Sequence, residues 1–376
     1  MDFVISFRRL IGKEVSEVWK HIKHDQIIYL TILLFVLSFF SFSFSFSFSF
    51  YSGYVGKFEF FAYFYSLKIV IPISIISYCV YYFFKLIFIG ERQPLKRFAG
   101  RVKLAYIYRS KLISAFVLLS AISIFMSSYS TMKSLIPIVN MFYLDDLLHQ
   151  ADLWIFLGHQ PGLSIVKWLD NPFYLFIINF NYNLWFFLMW FIVVYFLIAK
   201  KSTNRTSFFI SWIGCWGLLG AVLAMLLSSA GPVYVEKLDP TNLTYQPLML
   251  LLQEKHSWLV EQGWPGLFSL NTQELLWLAY TENLEMLGSG ISAMPSLHVS
   301  IAVLMALSMR EENKFISYFL WFFTVIIFIG SFALGWHYFL DGIVGAPLTY
   351  LIWKFSLTIA KKSHSNDSFT RDVSVA

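Results

Sequence analysis

Charge is what this chain has least of. Only 13% of its 376 residues are Asp, Glu, Lys or Arg, against about 25% in soluble domains, while 58% are hydrophobic and 20% aromatic. That balance excludes a soluble globular protein and implies an integral membrane protein. Its net charge of +6 does not call for a nucleic-acid partner, because the lysines and arginines gather in particular segments between apolar runs. Cysteine is scarce as well: Cys79 and Cys215 both fall inside apolar runs, which excludes a disulfide framework. Nor does a small-residue cleavage pattern precede the first long apolar run, so no cleavable signal peptide is expected.

What the chain has in abundance is apolar runs of bilayer length. Residues 1–25 mix Arg8, Arg9, Lys13, Lys20 and Lys23 with Phe3, Leu10 and Trp19, the pattern of an amphipathic helix on a membrane face. An uncharged run from Gln26 to Gly56 follows, longer than the roughly 20 residues a crossing needs. Its end alternates Ser and Phe from Ser41 to Phe50, a period of two; an isolated strand cannot satisfy its backbone in lipid, so a helix is expected. Further spans cover about 62–90, 112–131, 172–199, 207–230, 295–310, 315–334 and 338–360, eight in all. The expected fold is an all-α polytopic membrane helix bundle of about eight transmembrane helices, the C-terminal six forming its core. Residues 1–111 are then an N-terminal addition, 112–360 the core membrane domain, and 361–376 a polar, disordered tail.

The basic residues alternate with the spans. The N-terminus, the 91–111 loop with Arg92, Lys96, Arg97, Arg101, Lys103, Arg109 and Lys111, the 200–205 turn, the Arg310–Lys314 turn and Lys361-Lys362 all fall on one side. By the positive-inside rule that side is cytoplasmic, termini included. Asp145, Asp146, Asp152 and Asp170, with Trp154 and Trp168, fall on the outer side, as does a long connection from 231 to 294 with an amphipathic stretch over Leu248–Leu259. Short polar tails and the lack of a retention signal favour a bacterial plasma membrane over a Golgi membrane; Asn242-Leu-Thr244 is a glycosylation sequon only in a host that glycosylates.

Two segments concentrate the chemistry: Gly288 to His298, and Gly335 to Asp341. Both stand at the outer mouths of apolar helices. The span from Pro295 to Arg310 is too short for a full crossing, so its outer end is recessed. Pro295 suits a first helical turn, with Ser292 or Gly290 as cap, and two helix N-termini converging on one spot favour an anion. His337 and Asp341, four apart on one helix, share a face; the carboxylate orients the imidazole and leaves Nε2 free to attack phosphorus. His298 serves as general acid and then base. The plain alternative for either cluster is a helix cap; a zinc site from these three residues lacks local ligand spacing, so neither metal nor other cofactor is expected. His149, His159 and His256, and Glu282 with Glu285, read as solvated loop residues.

At Pro295-Ser-Leu-His298 and Gly335-x-His337-x-x-x-Asp341-x-x-x-Gly345 the chain resembles the type 2 phosphatidic acid phosphatase superfamily over about residues 112–360. His-Tyr-Phe-Leu-Asp and the Gly231-Pro-x-Tyr234 turn are most similar to the inositol phosphorylceramide synthase branch. The resemblance implies His337 as nucleophile, His298 as acid/base and Asp341 as relay. Two departures stand out: no Lys-x6-Arg-Pro motif is found on the outer side, and Gly330-Ser331 stands where phosphatases carry Ser-Arg. Phosphate binding then falls to backbone amides, Ser296, Pro295, Gly335, Tyr234 or Lys237. The expected activity is transfer of a phospho-headgroup from a phospholipid donor to a lipid alcohol, with water as the competing acceptor. The alternatives are hydrolysis of phosphatidate or a polyprenyl (di)phosphate, and a lipid transporter without chemistry.

Overall fold

The computed structural model describes residues 2–50, 61–282 and 290–373. Among the described residues every regular element is a helix. In chain order these are α1 (Asp2–His24), α2 (Gln26–Phe50), α3 (Ala62–Phe88), α4 (Pro94–Ile107), α5 (Arg109–Val139), α6 (Asp145–Ile155), α7 (Pro161–Trp168) and α8 (Pro172–Ile198). Then come α9 (Thr203–Gly214), a π-helical stretch Cys215–Leu223, α10 (Ala224–Leu226), a 3-10 turn Pro232–Tyr234 and α11 (Val235–Leu238). The last are α12 (Gln246–Glu261), α13 (Phe268–Thr281), α14 (Leu297–Met309), α15 (Lys314–Ala333) and α16 (Phe339–Val373). Among the described residues seven stretches are long and apolar enough to cross a bilayer: Gln26–Ser45, Tyr63–Phe88, Arg109–Val139, Pro172–Ile198, Thr203–Leu226, Lys314–Ala333 and Phe339–Ser365. The eighth apolar helix, α14, has only 13 residues. The protein is an all-α polytopic membrane bundle.

The chain divides into two compact units: Met1–Phe40 with Phe58–Ser128 and Leu197–Ala199, and Ser41–Lys57 with Tyr129–Phe196 and Lys200–Ala376. In the first, α1 is tied to the start of α5, where Arg109 and Ser110 both donate to Glu14. The stretch 91–111 is not a loop there. Pro94 suits a first helical position, and α4 follows, its Phe98 ring packed edge-on against Tyr82 of α3 at 5.1 Å.

In the second unit α14 is central. Its sequence is apolar all round, so no face can be left to water, and it is almost wholly buried between α15 and α16, with α9 also packed on α16. The amphipathic stretch forms α12, burying Leu248, Leu252 and Leu259. Lys255 of the same helix is buried as well, its ammonium donating to the carbonyls of Leu169 and Asp170 at 3.1 and 2.7 Å. The tail departs from expectation. Residues 361–373 hold no Gly or Pro to break the turn, and α16 continues through them to Val373. The Ser-Phe tract is helical within α2, where the backbone bonds internally.

Candidate active site

His337 lies in the turn between α15 and α16. Gly335 opens that turn at φ +75, a left-handed conformation that ends α15 at little steric cost. The His337 Nδ1 atom is 2.9 Å from the Ala293 carbonyl oxygen and 3.2 Å from Asp341 Oδ2. A carbonyl oxygen only accepts, so Nδ1 carries the proton and Nε2 holds the free lone pair. Asp341 is fully buried and also accepts from the Tyr338 amide at 2.9 Å. His337 therefore stands before the helix rather than on it. The helix starts at Phe339 because carboxylates take up its leading amides: Asp341 that of Tyr338, and Asp152 those of Phe339 and Leu340 at 2.8 and 3.3 Å.

His298 sits on the first turn of α14. The cap is Ser296, not Ser292 or Gly290: its hydroxyl accepts from the Val299 amide at 3.4 Å, an extended conformation at Ser296 placing the oxygen there. The Ser296 amide donates to the Asp341 carbonyl at 3.1 Å, so the two helix starts are stitched together. The His298 ring is held between Tyr182, at 4.5 Å and nearly parallel, and Trp185, at 4.4 Å, both from α8. Its centroid is 5.8 Å from that of His337.

The convergent helix ends are less available to an anion than the sequence implies. At α16 the first amides are spent on Asp152 and Asp341. At α14 the amides of Leu297 and His298 have no acceptor among the described residues. One lysine lies close by: Lys133 of α5 packs under the Gly290 turn, where a Cβ at 290 would lie 2.9 Å from Lys133 Cγ. Sequence reading ended the third span at Thr131 and missed it; the available signal was a cation within the apolar helix, well past its basic start at Arg109 and Lys111.

Two carboxylates of α6 hold this framework. Asp145 accepts from the Ala230 and Gly231 amides, each at 2.9 Å, and from the Tyr338 hydroxyl at 2.8 Å. Gly231 has φ +98, and a Cβ there would meet the Trp336 carbonyl oxygen at 2.5 Å, so the turn is closed to other residues. Asp152 is pushed up to about 6, first by burial, with the neighbouring Asp341 charge adding and its bonds to Phe339 and Leu340 opposing. These two residues were read as loop acidity. Their signal is the seven-residue spacing, which puts both on one face of α6.

The remaining sequence candidates fall as follows. Pro295 precedes the cap, and the Gly335 carbonyl accepts from the Val233 amide at 2.9 Å. Tyr234 is buried, donating to the Gln273 carbonyl at 3.3 Å and stacked on Trp277 at 5.8 Å. Lys237 is engaged in an ion pair with Glu274 at 2.6 Å. Two of the histidines read as solvated are not. His149 Nδ1 lies 2.8 Å from the Tyr245 hydroxyl, and His256 Nδ1 accepts from the Leu267 amide at 3.0 Å. Only His159 is exposed. Glu282 is exposed at the end of α13, while Glu285 and Gly288 lie outside the described residues. No group of three or more His, Cys, Asp or Glu is placed to hold a metal among the described residues.

Comparison with protein families matches residues 146–355 to the PAP2 superfamily. No curated protein and no solved structure matches the chain. The matched stretch runs from α6 into α16 and so contains His298, His337, Asp341 and Asp152.

Proposed function

We propose a function from one fact: the chain belongs to the PAP2 superfamily. Membership makes it a lipid phosphatase or phosphotransferase in the broad sense. We infer, more finely, that it transfers a phospho-headgroup, of the inositol phosphate kind, from a phospholipid to a lipid alcohol at the outer membrane face. The observation that carries the chemistry is the fastening of His337 Nδ1 to Ala293 and Asp341, which leaves Nε2 unprotonated and aimed away from its anchors.

The steps follow from that tautomer. Nε2 attacks phosphorus, the bond from phosphorus to the diacylglycerol oxygen breaks, and His298 in its protonated form gives that oxygen a proton. Asp341 stabilises the positive charge that develops on His337. In the second step the acceptor hydroxyl loses its proton to His298 and attacks phosphorus. The nitrogen–phosphorus bond then breaks, and both histidines return to their starting states.

Transfer is favoured over hydrolysis of a phosphomonoester by the charge available. Lys133 and the neutral amides of Leu297 and His298 suit the single negative charge of a phosphodiester; a dianionic monoester would call for more cations. Purified enzyme given labelled phosphatidylinositol and a lipid alcohol should yield a new phosphodiester lipid and diacylglycerol. Release of free phosphate from labelled phosphatidate would support a phosphatase. Lipid movement without a product, unchanged by His298→Ala and His337→Ala, would support a transporter. Full turnover by His337→Ala would overturn the mechanism.

A further inference from the structure

The first unit contains a basic cleft with no part in the chemistry above. It is a cavity of about 520 Å³ between the end of α3 and α4, lined by Tyr82, Glu91, Lys96, Arg97, Gly100 and Arg101, together with Gln93 and Leu104. Three cations face one carboxylate. Glu91 is taken up by Arg97, whose Nε donates to it at 2.8 Å, and by the Gln93 amide. Lys96 has no ion-pair partner among the described residues. Arg101 lies over the Tyr82 ring, 5.1 Å from its centroid, a neutral partner that holds the guanidinium in place without cancelling its charge. Positive charge in the cleft therefore exceeds what the protein neutralises.

The walls say where its occupant comes from. The α3 span leading to the cleft is apolar, yet only 6% of it is buried within the protein. Tyr78, Tyr81, Phe84 and Phe88 remain exposed along it. On α4 no residue is buried, and Leu95 and Val102 stand out beside the cations. An amphipathic helix of this composition lies in the interfacial plane of a bilayer. A molecule held here has its charged end among Lys96, Arg97 and Arg101, and its apolar part along α3.

We propose that this cleft is a binding site for an anionic phospholipid, with the phosphate against Lys96 and Arg101 and the acyl chains on the exposed face of α3. The volume lies within the range that encloses small ligands and headgroups. Charge alternation puts the segment on the cytoplasmic side, where anionic lipid is attracted by about 1 kcal/mol per Lys or Arg near the surface. The proposal does not depend on the activity assigned above, since none of these residues belongs to that site.

The test is lipid retention by the full-length protein, measured by mass spectrometry after exchange into mixed phosphatidylglycerol and phosphatidylcholine nanodiscs. Phosphatidylglycerol should be retained over phosphatidylcholine by about tenfold or more. Lys96→Glu with Arg101→Glu should abolish that preference. Gly100→Trp should do the same without changing charge: a Cβ at 100 meets nothing within 4 Å, so the added ring is tolerated by the fold and fills the cleft. Equal retention of the two lipids by the native chain would overturn the proposal. So would a preference that survives both variants, or displacement of the lipid by millimolar inorganic phosphate, which would make the site one for a soluble anion.

Discussion

Asp145 is the shared acceptor for three buried donors, and its removal can be graded. Asp145→Ala leaves the amides of Ala230 and Gly231 and the hydroxyl of Tyr338 without a partner, each now bonded at 2.8 or 2.9 Å. A buried donor left stranded costs about 1–3 kcal/mol; the carboxylate is itself half-exposed, so water replaces part of the loss and the low end applies, about 3 kcal/mol for the three. Tyr338→Phe removes one donor and keeps both amide bonds, so about 1 kcal/mol is expected. Asp145→Asn keeps one acceptor oxygen and turns an NH₂ toward the donors, which places it between the other two. The measurement is equilibrium unfolding of the purified protein by SDS titration in mixed micelles, with lipid turnover followed well below the transition. The expected order of stability is native, Tyr338→Phe, Asp145→Asn, Asp145→Ala. An Asp145→Ala protein as stable as Tyr338→Phe would refute the convergence of the three donors on this carboxylate.

Asp152 gives a pH signature. Its folded-state pKa, about 6, lies above the ordinary 3.8, so the native state is favoured while this group is protonated, and that contribution is lost as pH rises from 3.8 through about 6. Asp152→Asn should flatten this limb of a stability-against-pH curve; a curve of unchanged shape would count against the buried carboxylate. The ionised form holds the start of α16, so turnover should fall below about pH 6, and Asp152→Asn should remove that acid limb. Lys133→Met should lower kcat/KM by about 10- to 150-fold, the equivalent of ~1.5–3 kcal/mol for a bond to a charged group, with partial recovery in Lys133→Arg; an unaffected Lys133→Met enzyme would remove lysine from the phosphate site. Ser296→Ala should cost about 1 kcal/mol of stability through loss of the α14 cap, read by the same SDS titration.

The parts of this molecule legible in its sequence are those written in local periodicity. Apolar runs marked the spans, and the short run before Arg310 marked α14 as incomplete. The spacing of His337 to Asp341, and the helix start at Pro295-Ser-Leu-His298, marked the residues that the fold brings together. What escaped was long-range. The Asp152 bond to the Phe339 amide joins residues 187 apart, and nothing in α6 alone says which helix its carboxylates will cap. Tyr182 and Trp185 are aromatic residues in a helix full of them, and only packing selects the two that enclose His298. Lys133 was hidden by its place at the end of an apolar run, where a lysine reads as the first residue of a loop. The α4 helix was hidden by its charge: seven basic residues dominate a stretch whose apolar positions, among them Leu95, Phe98 and Val102, recur at helical spacing.

The length of α14 has a kinetic consequence. Its 13 residues rise about 20 Å, some 10 Å less than a bilayer's hydrocarbon core of about 30 Å. If its inner end meets one boundary of that core, His298 lies about 10 Å inside the other, among acyl chains rather than headgroups. A lipid substrate reaches such a site sideways from within the bilayer, and its lipid product departs by the same lateral route. For such an enzyme, what counts as substrate concentration is the mole fraction of donor in the plane of the membrane. Diluting the donor with inert lipid should slow the reaction, and diluting the vesicles with buffer should not.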